Sequence, residues 1–202
     1  MFRILAVLHW VTRSAGTDRG AVAVEAALVI PLLLVMVFGI LDTGLYLRDV
    51  SAVTAATRHG VRIASAEPRR VSMVDDVAQA VAAASTVLPA DSIDELWLYQ
   101  AGNDGFPVGT TSFSACPSRC VRLTWSRATG AFVPVSGTQW SPLSINACVG
   151  DTHAMSVGVL LRVRHRMLFS SVLGSSAIRT ITDRTVMKFE PLPLRSCGLG
   201  LS

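Results

Sequence analysis

The sequence predicts an α+β protein: one long N-terminal transmembrane helix that continues into a small extracytoplasmic head with an antiparallel sheet. Three observations predict this class. The run "VAVEAALVIPLLLVMVFGIL", from Val22 to Leu41, is apolar apart from one carboxylate, Glu25. Helical patterning carries on past Asp42 to about Ser65. After Pro89 the pattern changes to period two, with β-branched and aromatic residues.

The apolar run comes first. A helix of this length spans about 30 Å, the thickness of a bilayer core. Composition agrees: 50% of the 202 residues are hydrophobic and only 16% are charged, against about 25% charged in an average soluble domain. Pro31 interrupts the run. It would cost a soluble helix about 3 kcal/mol but is tolerated in membrane helices. Arg3, Arg13 and Arg19 precede the span, whereas the charges of Asp42, Arg48 and Asp49 behind it nearly cancel. The positive-inside rule therefore places the N-terminus in the cytoplasm and the head outside. The stretch "ILAVLHWV" near the start is too short to cross, is broken by His9, and reads as leader. A secretory signal peptide fits poorly, because the apolar core is too long and no A-x-A site follows it. The small residues and the glycine lie in front, so any cleavage is expected on the cytoplasmic side, leaving the span attached.

Glu25 needs a reason to sit there. An ionised carboxylate in lipid costs several kcal/mol unless it is partnered. A place near the cytoplasmic rim and the first helical turns, where the macrodipole favours negative charge, is one account. The other is a protonated amine, in the same chain or a neighbouring one.

Past the span, Leu45, Val53, Ala56, Gly60 and Ile63 keep an apolar stripe, with Arg48, Asp49, Arg58 and Arg62 elsewhere on the helix. The small residues Ala52, Ala55, Ala56 and Gly60 are expected to pack against the head; a helix–helix assembly contact is the alternative. "EPRR" at Glu67–Arg70 reads as a turn, and Ser72 with Asp75 as a capping box. Val74, Val77, Ala78, Val81 and Leu88 give a second helix that Pro89 ends. Strands follow in "ELWLYQ", "CVRLTWSR", "AFVPV" after a Thr-Gly turn, "MSVGVLLRVRHRM" and "AIRTITDRTVMKFEP". In the fourth, Met155, Val157, Val159, Leu161, Val163 and Met167 face one way, with Arg162, Arg164 and Arg166 on the other. That face is expected to be solvated, though its arginines could touch lipid headgroups, DNA or an acidic partner. The organisation is then 1–20 leader, 21–66 transmembrane and extended helix, and 67–202 head.

The chain carries no G-x-S-x-G, no H-E-x-x-H and no phosphate loop. The net charge of +4 is too small to argue for nucleic acid. His165 falls on the apolar face of its strand and is expected to be a partly buried, satisfied side chain. Four cysteines, Cys116, Cys120, Cys148 and Cys197, all lie behind the span. An even number outside the cytosol fits two disulfides, with a local Cys116–Cys120 bridge preferred. Cys116, Cys120, Cys148 and His153 also have zinc-ligand spacing, but zinc needs reduced thiolates.

Glycine, then four residues, then glutamate, then a proline-bearing apolar helix, followed by "AATRHGVRIAS", resembles the TadE-like minor pilins or pseudopilins of tight-adherence (Flp) type IV pilus systems. The resemblance covers the leader, the span and the start of the following helix, and more loosely "MSVGVLLRVRHRM" and "TDRTVMKFEPLP". It departs at Ala26, where many members carry an aromatic residue. The resemblance implies a prepilin-type leader, with Gly20 and Ala21 flanking the bond cut by a prepilin peptidase. Glu25 takes the assembly role, and the head is pilin-like. It further implies a structural or assembly subunit, not an enzyme, with no cofactor and no metal. Its partners would be the membrane, the peptidase, other pilin subunits and the assembly machinery, with no nucleic acid. The expected location is the cell membrane, single-pass. The alternative is a signal-anchored extracellular binding module or zinc-containing enzyme.

Overall fold

The computed structural model describes residues 17–151, 153–168 and 177–197. Two compact units divide between Gly44 and Leu45. The first consists of the N-terminal part of helix α1 (Thr17–Ala66), which contains Pro31. Proline lacks an N–H, so the backbone bond back to Ala27 is missing there. Val22, Leu28, Leu33, Met36 and Ile40 are all exposed, and so are the large apolar residues between them. This stretch is long and apolar enough to cross a membrane, and among the described residues its apolar window is not buried.

The second unit is the head, and it includes α1 from Leu45 onward. The helix stripe that packs inward is Asp49, Val53, Ala56, Gly60 and Ala64, all buried. Its spacings of four and three residues are those of one helix face. Helix α2 (Met73–Ala84) packs close to Gly60: a β-carbon there would come within 2.5 Å of Val81 Cγ2. Of the small residues expected to pack against the head, Ala56 and Gly60 are buried and Ala52 packs against the core, whereas Ala55 is exposed.

The capping box at Ser72 does not form. Ser72 has helical backbone angles, φ −79° and ψ −1°, and makes no side-chain cap. Its carbonyl accepts the Asp76 N–H at 2.9 Å, while its hydroxyl takes a bond from Arg70 Nε at 3.1 Å. A serine already inside the helical spiral cannot turn its oxygen back to the first free amides.

Five strands follow: β1 (Ile93–Ala101), β2 (Cys120–Ser126), β3 (Ala131–Pro134), β4 (Ser156–Arg166) and β5 (Ile178–Lys188). They form one antiparallel sheet in the order β3-β2-β1-β4-β5. The Thr-Gly turn joins β2 to β3, with Gly130 at φ 62°, a conformation that glycine adopts without penalty. A short helix α3 (Leu194–Cys197) closes the described chain.

One sheet face meets α1 and α2 through Leu96, Leu98, Leu123, Val159 and Leu161. The other face is not simply solvated, which corrects the reading of β4. Trp97, Tyr99, Cys120 and Leu160 form a second buried cluster there, with Phe113 packed against it. Gly158 belongs to the same face: a β-carbon would stand 2.3 Å from the Tyr99 ring. Alternation is lost in β1 because both of its faces are covered.

Candidate functional site

Gly20, Ala21 and Glu25 lie within helix α1 and are exposed. Ala21 and Glu25 are four positions apart, so they share one face. Among the described residues the apolar window behind them is not buried, and it is long and apolar enough to cross a membrane.

A second polar element is buried in the head. His165 on β4 and Asp49 on α1 meet at 2.7 Å between Nδ1 and Oδ2, and both are buried. Tyr46 packs edge-on against the imidazole at 5.5 Å between ring centroids. Sequence reasoning placed His165 on the apolar face correctly but put Asp49 off the helix stripe. The missed signal is that Asp49 stands four residues before Val53, one turn along the buried face. Asp49 and His165 border a cleft of about 410 Å³ at the end of the sheet.

The arginine face of β4 is divided. Arg162 pairs with Glu95, a buried carboxylate that also accepts Arg122 Nε at 2.6 Å. Arg164 approaches Asp94 at 3.8 Å. Arg166 makes no ion pair among the described residues. Glu95 was not singled out from sequence, because its partners lie across two strand pairings.

The cysteines form two disulfides, Cys116–Cys120 and Cys148–Cys197. The first ties Cys116, three residues past Phe113, to Cys120 at the start of β2. The second ties the end of the described chain to the segment before β4. Arg69, at φ 67°, supports the same junction: it donates to the carbonyls of Ile145 at 2.9 Å and Ser196 at 2.6 Å. With Cys148 joined to Cys197, the ligand set Cys116, Cys120, Cys148 and His153 is not assembled. His153 is exposed and lies 3.3 Å from Asp151.

Comparison with known proteins adds one match. Residues 20–62 fit the family model described as TadE-like protein. The match covers the apolar stretch and α1 as far as Arg62, and stops before α2 and the sheet. No curated protein and no solved structure matches the chain.

Proposed function

We propose that this chain, which is TadE-like over residues 20–62, is a minor pilin or pseudopilin of a tight-adherence pilus system. It is a structural or assembly subunit rather than an enzyme, held by a single span. The observation that carries this reading is the exposed apolar helix, which begins with Gly20, Ala21 and Glu25 and lies inside the matched segment.

The mechanism follows from the chemistry of that segment. A prepilin peptidase on the cytoplasmic side removes the leader 1–20 between Gly20 and Ala21. The new amino group on Ala21 is protonated, and Glu25 is its counter-ion in low dielectric. Within the bilayer the helix is solvated by lipid. Assembly replaces lipid contacts by contacts with other pilin helices, and the amine–carboxylate pair removes the cost of carrying a lone charge into that bundle. The head, outside the membrane, keeps its two disulfides in an oxidising compartment.

Two variants test this. Glu25→Ala is expected to leave membrane insertion intact and to impair piliation. Normal piliation in that variant would overturn the assembly role. Gly20→Ala is expected to block leader removal, and mass spectrometry of the wild-type mature chain should give a mass beginning at Ala21. A mature chain that retains its leader would overturn the processing step.

A further inference from the structure

The cleft beside Asp49 and His165 gathers four arginines from separate parts of the head: Arg48 on α1, Arg127 behind β2, and Arg164 and Arg166 on β4. Two of them are oriented without being neutralised. Arg48 Nη2 donates to the Val87 carbonyl at 2.6 Å, and Arg127 Nη2 to the Asp91 carbonyl at 3.3 Å. Among the described residues Arg164 has only the distant Asp94, and its buried Nε has no acceptor. Of the two acids on the wall, Asp49 is engaged by His165. The cleft therefore holds positive charge in excess and unused guanidinium donors. Leu168 and Ile178, both more than half exposed, line the same cleft.

The position of Arg48 in the chain supplies the second argument. The apolar run ends at Leu41, and Arg48 follows seven residues later in the same helix. At 1.5 Å per residue, seven residues of helix rise about 10 Å, a few ångströms more than the depth of a headgroup layer roughly 5–8 Å thick. Guanidinium groups bind phosphate oxygens in bidentate fashion, and their long side chains can reach back toward the interface. Exposed leucine and isoleucine beside them suit the boundary with acyl chains.

We propose that this cleft binds the phosphate headgroup of an anionic phospholipid, with Arg127 and Arg166 as its accessible ligands and Arg48 and Arg164 behind them. The proposal rests on the reading of α1 as a membrane anchor. The site would fix the head against the bilayer before assembly.

The test uses the full chain in nanodiscs of equal phosphatidylcholine and phosphatidylglycerol, with retained lipids counted by native mass spectrometry. Phosphatidylglycerol should be retained over phosphatidylcholine by about fivefold. The double variant Arg127→Gln/Arg166→Gln should abolish that preference, and the exposed Arg58→Gln should keep it. Both side chains changed in the double variant are exposed, so circular dichroism should be unaltered. Excess inorganic phosphate should not displace the lipid; full displacement would assign the cleft to free phosphate and overturn the lipid site. Equal retention of both lipids by a chain that inserts would overturn the site alone. A chain that does not insert would overturn the anchor and the site together.

Discussion

Gly158 shows how one residue sets the outer face of the sheet. It lies in a long, well-paired strand, where glycine is normally a weak choice, yet the Tyr99 ring fills the space its side chain would take. Gly158→Ala is expected to cost roughly 1–3 kcal/mol by overpacking, seen as a lower denaturation midpoint with an unchanged m-value. Tyr99 itself is fully buried and donates its hydroxyl to the Gly105 carbonyl at 3.0 Å. Burial raises its pKa to about 12, partly opposed by Arg184. The folded state thus holds the phenol proton that the unfolded chain loses near pH 10. This contribution is complete below pH 10 and is lost as pH rises from about 10 to about 12. Tyr99→Phe should flatten the alkaline fall in stability over that window, measured by urea titration at each pH. An equally steep fall in the variant would show that other groups govern it.

At the scale of elements, helix α1 meets the sheet partly through apolar contact and partly through the Asp49–His165 bond. Removing one partner strands the other in a buried site, which is more costly than removing both. Asp49→Ala and His165→Ala should each destabilise the protein by about 2 kcal/mol, and the double variant by clearly less than their sum. Additive losses would mean the pair is not coupled. The Cys148–Cys197 bridge closes a separation of 49 residues. In the chain-entropy account, a loop of that size stabilises by about 4 kcal/mol, so Cys197→Ser should lower the melting temperature by roughly 10 °C. The Cys116–Cys120 bridge spans only four residues. Its loss should act mainly on the loop over Trp97 and Tyr99, as a change in near-UV circular dichroism with a smaller thermal shift.

Over the whole molecule, what could be read from sequence follows the range of the interactions involved. The apolar span and the strands are encoded by local composition and period, so α1 and β1 to β5 were all legible. Gly20, Ala21 and Glu25 could be picked out for the same reason, since their pattern is a short spacing. Cover on the outer sheet face was not legible, because Phe113 sits in a turn-rich loop whose contacts with Trp97 and Tyr99 lie far away in sequence. The arginine cleft was legible only in its β4 part, since Arg48 and Arg127 join it through folding. The same division by range predicts how the chain should separate. Among the described residues no buried side chain precedes Asp49, and the large exposed apolar residues concentrate between Val22 and Leu41. A chain truncated to 45–202 keeps Tyr46, Asp49 and every described residue of both buried clusters. It should therefore be water-soluble without detergent, contain two disulfides and no free thiol, and melt cooperatively. The full chain should require detergent or lipid, because its exposed apolar helix would otherwise self-associate. A truncated head that melts without cooperativity would show that residues before Leu45 contribute to its core.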